Sequence, residues 1–396
     1  MDNTPPIRLL TFSTLYPNAV EPRHGIFVET RLRQLISSEG VTARVMAPVP
    51  WFPSEHPVFG GYAKYAKVPS AEQRYGIEVL HPRYPLIPKV GMTLTPFTLA
   101  LSCLLPLKRL IQSGNDFDLI DAHYFYPDGV AAVLLGKLLK KPVVITARGS
   151  DINVIPQHFL PRKMIHWTAE HAAGVITVSQ ALKSKIISLG INEKKVTVLR
   201  NGVDLEIFKP TARDETRTAL GISGLLLLSV GNLVTAKGHD LAIAALGQLE
   251  GMHLLIIGTG PEKRSLQVQA QFLGVSQRVR FLDNVPQSDL CRYYSAADVL
   301  ILASIREGWP NVLLEAMACG TPVVATNVGG TPEIVAASEA GVLIPKRTPD
   351  DLVTAIQNLA SNAPGREAVR NYAKGFGWNE TSQGQKFLFN KILKEA

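Results

Sequence analysis

Short runs of apolar, often β-branched residues recur along the whole chain, with stretches of helical periodicity between them. Runs that are apolar throughout, rather than alternating, are typical of parallel strands covered on both faces. The first half contains such runs at 7–12, 41–46, 119–123, 143–146 and 175–178. The second half contains them at 225–230, 254–257, 279–282, 299–302, 323–325 and 342–344. Two successive βαβ series predict an α/β protein with two doubly wound domains, each built on a parallel sheet.

Helix signals fall between these strands. A helix with apolar residues at i, i+4 and i+7 begins near Val28 and is expected to stop at Gly40. Ser179 is expected to cap a second helix over 180–189. The junction between the domains is predicted near 201–210, where a strand ends in a turn-forming Asn-Gly pair.

Two segments depart from this pattern. The run 90–107 is uncharged and reaches the length threshold for a membrane span, but Pro96 and Pro106 would break a spanning helix. We expect a buried helix of the first domain there, and the alternative is a segment that touches the membrane interface. The irregular, aromatic-rich region 48–67 is expected to be a long loop that contacts an acceptor or a membrane, or else a packed surface loop.

Composition narrows the class of protein. The chain has 396 residues, of which 46% are hydrophobic and 19% charged, and these values exclude a disordered or fibrous protein. Its three cysteines are widely spaced and odd in number, which argues against a disulfide framework and against a zinc site. We therefore expect a reducing, cytoplasmic location. The N-terminus lacks the pattern of a signal peptide.

The net charge of +8 is unevenly distributed. Residues 1–190 hold 20 Lys and Arg against 13 Asp and Glu, whereas residues 191–396 hold 21 against 20. The sequence has no Lys/Arg run, zinc-finger spacing or RNP-type aromatic motif, so we expect no nucleic-acid partner. An anionic membrane surface or a phosphorylated lipid fits the basic half better, and ordinary solubility is the alternative explanation.

Candidate ligand-binding residues of the first half follow predicted strands, because ligands of doubly wound domains bind beyond the carboxyl ends of the strands. Arg23 and Gly25 precede the first helix, where Gly25 is either part of a phosphate cradle or only a turn residue. His123 ends a buried strand and either touches a substrate or is structural. The next strand is followed by a cation, a hydroxyl and a carboxylate, at Arg148, Ser150 and Asp151.

The second half carries more specific signals. Lys237 opens a helix after a strand, which would place a compact positive charge over a phosphate. The Gly258-x-Gly260 pair ends the next strand, and turn geometry explains it equally well. Glu307 lies on the loop before a helix and Glu315 about one turn within it. The pair suggests either a glycosidase or carboxylates that accept hydrogen bonds from sugar hydroxyls.

Five segments match a known pattern in order and at the proper distances. They are VTVLRNGVDLEIF at 196–208, SVGNLVTAKG at 229–238, IIGTGPE at 256–262, EGWPNVLLEAMACGTPVV at 307–324 and GGTPE at 329–333. The chain resembles the family 4 glycosyltransferases, which are retaining enzymes of the GT-B class, and the Glu-x7-Glu pair is the most diagnostic match. The resemblance extends over almost the whole length. It implies two Rossmann-like domains with an interdomain cleft.

The resemblance also implies how the domains divide the work. An acceptor-side domain would comprise 1–205 together with 380–396, the segment that resembles a helix crossing back onto the first domain. A donor domain would comprise 206–379 and bind the sugar nucleotide. No cofactor and no metal ion are expected, because lysine and helix N-termini would supply the charge that an Asp-x-Asp metal site supplies elsewhere.

Site residues carry over position by position. Glu315 would hold the ribose hydroxyls, Glu307 the donor sugar hydroxyls and Lys237 the diphosphate, while His123 would contact the donor sugar. The residues expected to be catalytic are His123, Lys237 and Glu307. The expected donor-binding set is Gly25, Asn232, Lys237, Gly258, Gly260, Glu307, Gly308, Asn311, Val312, Leu313 and Glu315. The expected acceptor-side set, in a segment similar to an HGSD-type motif, is Arg23, Arg148, Ser150 and Asp151.

One departure from the family pattern affects the diphosphate site. The family usually has an arginine where this chain has Asn232, so a bidentate cationic partner is missing. We hypothesise that Arg148 or Arg23 supplies that charge from the first domain.

The function implied by the resemblance is transfer of a hexose from a nucleotide-diphosphate sugar to a lipid-linked or saccharide acceptor. UDP is the favoured nucleotide, and GDP remains an alternative. The product would be a cell-surface polysaccharide or a glycolipid, made in the cytoplasm or at the inner face of the plasma membrane. The alternatives are a GT-B sugar-nucleotide 2-epimerase and a non-catalytic sugar-nucleotide-binding subunit.

Overall fold

The computed structural model describes residues 5–86, 91–283 and 285–395. The chain forms two compact units, of which the first comprises Met1–Arg200 with Asn379–Ala396 and the second comprises Asn201–Trp378. These boundaries lie within a few residues of those expected from the sequence. Each unit is α/β with a largely parallel sheet between helices, so the predicted fold class is confirmed.

The sheet of the first unit has eight strands in the order β10-β9-β8-β7-β1-β2-β5-β4. All neighbours are parallel except the β4–β5 hairpin at one edge, and β3 pairs separately with β6. The strands are β1 (Ile7–Phe12), β2 (Val41–Met46), β3 (Val49–Pro50), β4 (Ala71–Arg74), β5 (Ile77–Leu80), β6 (Arg83–Tyr84), β7 (Leu119–His123), β8 (Val143–Ala147), β9 (Gly174–Thr177) and β10 (Val196–Val198). Strands β3 to β6 and β10 were not among the predicted runs.

Helices cover both faces of this sheet. They are α1 (Ile26–Ser37), α2 (Ala63–Ala66), α3 (Gly91–Gln112), α4 (Val130–Leu139), α5 (Ser150–Asn153), α6 (Phe159–His171) and α7 (Gln180–Ser188). The predicted cap of α7 is confirmed, because Ser179 Oγ accepts a hydrogen bond of 3.1 Å from Leu182 N. Helix α1 ends three residues before Gly40, where a residue with φ 74° turns the chain into β2.

Two expectations for the first unit need correction. The region 48–67 is not a structureless loop, because it contains β3, a 3-10 turn at Pro57–Tyr62 and α2. Only 33% of the most apolar stretch of helix α3 is buried. Within the part of the chain that the structure describes, it is the one helix long and apolar enough to cross a membrane by length and composition. Its inner face nevertheless packs on α4, so α3 is an integral part of the first unit.

The second unit has a six-stranded, wholly parallel sheet in the order β13-β12-β11-β14-β15-β16. All six strands were predicted to within two residues. They are β11 (Leu225–Val230), β12 (Met252–Ile257), β13 (Val279–Leu282), β14 (Val299–Leu302), β15 (Val323–Thr326) and β16 (Gly341–Ile344). The helices are α8 (Arg213–Ala219), α9 (His239–Leu246), α10 (Lys263–Phe272), α11 (Gln287–Ala296), α12 (Asn311–Ala318), α13 (Thr331–Ile334), α14 (Pro349–Ser361) and α15 (Arg366–Lys374).

The last helix, α16 (Asn379–Glu395), belongs to the first unit although it follows the second in sequence. Its buried Phe389 and Ile392 join the core formed by β1, β7, β8 and β9. The side chain of Gln385, on the same helix, is also buried. The C-terminal segment therefore completes the hydrophobic core of the first unit.

The strand order reverses at one point in the centre of each of the two large sheets. In the first unit the chain adds strands outward from β1 on one side and outward from β7 on the other. In the second unit the reversal lies between β11 and β14. Loops that leave adjacent strands in opposite directions open a crevice at such a point, and ligands of doubly wound sheets bind there.

Candidate active site

Lys237 and Glu307 meet at the strand reversal of the second unit. Lys237 follows β11 and Glu307 follows β14, and the distance from Lys237 Nζ to Glu307 Oε1 is 2.6 Å. Ser304 Oγ donates to the same oxygen at 2.7 Å. Among the described residues no group bonds to Oε2, so that oxygen remains able to accept a hydrogen bond from a ligand hydroxyl. The lysine side chain is 30% exposed, which leaves the ammonium group accessible from solvent.

The loops around this pair approach each other so closely that only glycine fits. Gly258 follows β12 with φ 152°, and a Cβ placed there would lie 1.9 Å from the carbonyl oxygen of Gly231. Gly258 is therefore required by the backbone, whatever it contributes to a ligand. Gly260 lies farther along the same loop, and Gly308 directly follows Glu307.

Asn232 lies at the exposed rim of the same crevice. Its carbonyl oxygen lies 3.2 Å from Nε2 of His239, whose Nδ1 is 2.8 Å from Ser229 Oγ. Burial lowers the pKa of His239 to about 4, so the imidazole is neutral at pH 7. These contacts fix the backbone of the loop that carries Asn232 and Lys237.

Glu315 lies within α12 and is half-buried. The buried hydroxyl of Tyr294, on α11, donates to Glu315 Oε2 at 2.7 Å. Burial raises the pKa of Glu315 to about 7, with the Tyr294 bond opposing the shift. Burial thus disfavours the charged form of the carboxylate, and a ligand with adjacent hydroxyl groups would stabilise that form.

The predicted backbone contacts Asn311, Val312 and Leu313 form the first turn of α12. Pro310 precedes them and provides no side-chain cap. The positive end of the helix dipole therefore faces the loop that carries Glu307, an arrangement that favours an anion. Trp309 holds this loop in place, because its buried indole nitrogen donates to Asn201 O at 2.9 Å.

In the first unit, Gly25 is the residue immediately before α1. It has φ 67°, and a Cβ there would lie 2.2 Å from Leu15 O, so the tight turn accounts for the glycine by itself. Arg23 lies just before it, with an exposed side chain. The loop presents the N-terminus of α1 at the carboxyl edge of the sheet.

His123 is buried at the end of β7, and the chain's own groups engage both of its ring nitrogens. Arg148 Nη2 lies 2.6 Å from Nδ1, and Asp121 Oδ2 lies 3.3 Å from Nε2. Because a guanidinium can only donate, Nδ1 accepts and the ring proton is on Nε2. Burial lowers the pKa of His123 to about 4, so the ring is neutral at pH 7.

This contact extends into a buried chain of polar groups. Gln385 Nε2 donates to Asp121 Oδ2 at 3.1 Å, and Arg31 Nε donates to Gln385 Oε1 at 3.0 Å. Sequence reasoning missed all three residues. The position of Asp121 beside His123 could have been predicted, because alternation along a strand places residues 121 and 123 on one face. No pattern in the sequence indicated Arg31 or Gln385.

The acceptor-side candidates make internal contacts. Asp151 is fully buried and accepts hydrogen bonds from the backbone N–H groups of Phe125, Arg148 and Gly149, which lie at 2.7–3.2 Å. Ser150 Oγ lies 2.7 Å from the hydroxyl of Tyr124. Asp151 therefore shapes the loop after β8.

A further carboxylate joins the two loops at the reversal point of the first unit. Asp128 is fully buried and accepts from Thr14 N at 2.8 Å, from Thr14 Oγ1 at 2.9 Å and from Ser13 Oγ at 3.2 Å. Burial raises its pKa to about 7. Sequence analysis did not identify Asp128 as part of the site.

The second unit therefore offers an accessible ammonium group, a helix N-terminus and two carboxylates at one edge of a parallel sheet. Cationic and helix-dipole groups suit a diphosphate, and carboxylates suit sugar and ribose hydroxyls. This combination of groups suits a ligand that carries both phosphate and hydroxyl groups.

Sequence comparison identifies the family. The profile described as Glycosyltransferase Family 4 matches residues 62–207, and the profile described as Glycosyl transferases group 1 matches residues 213–376. The chain belongs to the family 4 glycosyltransferases. The putative teichuronic acid biosynthesis glycosyltransferase TuaC of Bacillus subtilis (strain 168) is 29% identical to it over 347 residues, which cover 86% of each chain.

Solved structures show the same fold. Sucrose-phosphate synthase from Thermosynechococcus elongatus superposes with a TM-score of 0.79 at 20% identity, covering 99% of this chain and 100% of that one. Anabaena Alr3699/HepE, solved in complex with UDP and glucose, superposes with a TM-score of 0.73 at 20% identity, covering 97% and 99%. The protein has the fold of GT-B glycosyltransferases.

Proposed function

We propose that this glycosyltransferase moves a hexose from a UDP-linked sugar to a lipid-linked or saccharide acceptor, with retention of anomeric configuration and without a metal ion. The product would be a cell-surface polysaccharide or a glycolipid, made on the cytoplasmic side of the membrane. The name of TuaC refers to teichuronic acid biosynthesis, and the Anabaena protein was solved with UDP and glucose, which supports this choice of acceptor and donor.

The contact between Lys237 and Glu307 carries the proposal. Breaking the bond between the anomeric carbon and the diphosphate oxygen leaves the electron pair on the diphosphate, where negative charge develops. The accessible ammonium of Lys237, 2.6 Å from Glu307 Oε1, would then face the diphosphate and stabilise that charge. The N-terminus of α12 would add to this field.

The two glutamates would orient the donor. Glu307 Oε2 would accept from a hydroxyl of the transferred sugar, while Ser304 and Lys237 hold Oε1. Glu315 would accept from the ribose hydroxyls. The acceptor oxygen bonds to the anomeric carbon on the face from which the diphosphate leaves, and its proton passes to a leaving phosphate oxygen. This path gives retention and requires no side chain as general base.

Turnover of a labelled UDP-hexose with an extract of the native lipid pool or a saccharide acceptor tests the proposal. We expect Lys237→Ala and Glu307→Ala each to lower the rate about 100-fold or more, because each removes transition-state stabilisation. Lys374→Ala, which removes an exposed cation of the same unit, is the matched control and should leave the rate unchanged. EDTA should have no effect, and NMR of the product should show the anomeric configuration of the donor.

A thermal-shift series of UDP-, GDP- and ADP-sugars identifies the nucleotide, because a ligand that binds only the folded state raises its stability with affinity. Affinity without turnover would indicate a binding subunit instead of an enzyme. Formation of an epimeric sugar nucleotide in the absence of acceptor would indicate a 2-epimerase. Either result would overturn the proposed transfer.

A further inference from the structure

Helix α3 presents an apolar stripe to solvent. Leu94, Phe97, Leu101 and Leu105 are 40%, 48%, 76% and 55% exposed. Their spacing of three or four residues places them on one side of the helix. We call these four residues the α3 stripe. An ordered row of large apolar side chains on one exposed face marks an interaction surface more often than isolated exposed residues do.

The opposite face of α3 holds the helix on the first unit. Leu99, Cys103 and Leu107 are fully buried, and α3 packs on α4. The hydroxyl of Tyr126 also donates to the carbonyl oxygen of Met92, in the first turn of the helix. The helix is thus apolar on both sides, and within the described residues of the unit only the inner side is packed against other elements.

The neighbouring helix α6 adds to the same chemistry. Phe159 and Leu160, its first two residues, are 69% and 49% exposed, and the exposed cations Arg162 and Lys163 follow them. Lys163 Nζ lies 4.4 Å from the centre of the Phe159 ring. Helices α3 and α6 contact each other, so their exposed apolar residues lie on neighbouring elements of the first unit.

Lysine and arginine residues lie near the exposed apolar residues of α3 and α6, and acidic residues are scarce there. The α3 stripe ends at the exposed cations Lys108 and Arg109. The sequence has no Asp or Glu between Glu78 and Asp116, and none between Asp151 and Glu170. Among the described residues, the elements with the main contacts to α3 are β6, the turn at 125–129, α4 and α6. Their carboxylates are the buried Asp128 and Glu170 at the far end of α6.

We propose that the α3 stripe and the first turn of α6 dock the protein on an anionic lipid bilayer. The leucines and phenylalanines would reach the acyl boundary, and the lysines and arginines would meet the lipid phosphates. The charge decides between a bilayer and a second copy of the chain. Two copies of this basic region would repel each other, whereas anionic lipid attracts it. The inference deepens the proposed function, on which it rests, by assigning the membrane partner to named residues.

Co-sedimentation of the full chain with vesicles tests this surface. We expect binding to vesicles of phosphatidylcholine with phosphatidylglycerol, and little binding to phosphatidylcholine alone. The double variant Leu101→Glu with Leu105→Glu should lower partitioning about tenfold or more, because it removes two large apolar groups and adds two negative charges. Phe272→Glu is the matched control, since Phe272 is 88% exposed on the second unit, and it should bind like the wild type.

A second pair of variants tests the charge. Lys108→Glu with Arg109→Glu should lower binding to anionic vesicles about tenfold and weaken its salt dependence. Lys391→Glu with Lys394→Glu makes the same change of charge on the exposed side of α16 and should have a much smaller effect. Equal loss in both pairs would show that net charge alone binds the lipid, which would overturn the assignment.

Two other results would also overturn it. Equal binding to neutral and anionic vesicles would remove the role of the cations. A wild-type dimer in sedimentation velocity that Leu101→Glu with Leu105→Glu converts to monomer would show that a second copy covers the stripe. Failure of the proposed function is distinguishable, because Lys237→Ala should lose transfer yet bind vesicles. The α3 variants should lose vesicle binding yet retain affinity for the sugar nucleotide.

Discussion

The two strand-reversal points of this protein have similar sheet topology, but their polar side chains differ in exposure to solvent. At the β1–β7 reversal, Asp121, His123 and Asp128 are buried and bond to other groups of the first unit. At the β11–β14 reversal, Lys237 is 30% exposed, and among the described residues the second oxygen of Glu307 has no partner. The polar groups of the first unit stabilise the carboxyl edge of its sheet, whereas those of the second unit are available to a ligand.

This difference shows that position in the topology does not by itself identify a binding residue. A doubly wound sheet places polar residues at its carboxyl edge in both units, but burial decides whether they can contact a ligand. Solvent access separates the two cases here, because Lys237 is 30% exposed whereas Asp121, His123 and Asp128 are buried. The roles that the family resemblance implies for His123, Arg148 and Asp151 remain predictions, and their present contacts are structural.

The largest expected effect separates stability from activity. Asp121→Asn should lower the free energy of unfolding of the first unit by about 3 kcal/mol, because it removes the negative charge beside His123, the buried Arg31 and the half-buried Arg148. Glu307→Gln should change stability by less than about 1 kcal/mol and lower turnover about 100-fold. Urea unfolding measures the change in stability, and hydrogen exchange assigns it to the first unit. A donor-turnover assay measures the change in activity. If Asp121→Asn left stability unchanged, the buried chain would not stabilise the unit.

A tenfold effect is expected from the ionisation of Glu315, whose pKa of about 7 lies above the ordinary value for glutamate. If the carboxylate form binds the ribose hydroxyls, the competent fraction is small at pH 6 and nearly complete at pH 8. Apparent donor affinity should therefore rise about tenfold over that range. Titration calorimetry with the nucleotide at both pH values measures it. Glu315→Gln should bind weakly and lose the pH dependence, and an unchanged dependence in that variant would assign it to another group.

The smallest effect concerns Ser304, which we place as a positioning residue for Glu307. Ser304→Ala removes one of two hydrogen bonds to Glu307 Oε1, and kcat/KM should fall about threefold to fivefold. Most of the loss should be in kcat if the bond matters for orientation in the transition state. Ser295→Ala removes a buried hydroxyl of the same unit that accepts from Thr211 N instead, and serves as the control. Equal losses in the two variants would point to a general effect on the sheet.

The sequence predicted the strands best where both faces are buried. All six strands of the second unit read as continuous apolar runs, because helices cover both sides of a parallel sheet. The hairpin of β4 and β5 was missed because β4 reads AEQR and lies at the edge, where burial imposes no apolar pattern. The prediction for helix α3 was wrong for a different reason. Its apolar composition indicated a buried helix, but its outer face is exposed.

The site was predictable in part. Lys237, Glu307 and Glu315 stand in local motifs, so their placement followed from strand ends and from the family resemblance. Ser304 and Tyr294 carry no motif of their own, and their contacts depend on how α11 and the loop after β14 pack. The bond from Arg31 to Gln385 joins opposite ends of the sequence, and it depends on where the last helix docks.

The docking of α16 has a consequence for biosynthesis. The ribosome releases β1, β7, β8 and β9 long before Phe389 and Ile392, which complete their core, have been made. Until then an apolar surface of the nascent first unit stays exposed to solvent. During this time the whole second unit is synthesised and can fold. We expect a chain that stops before Asn379 to expose this surface and to depend on chaperones. The order of translation and the order of assembly thus differ within one polypeptide.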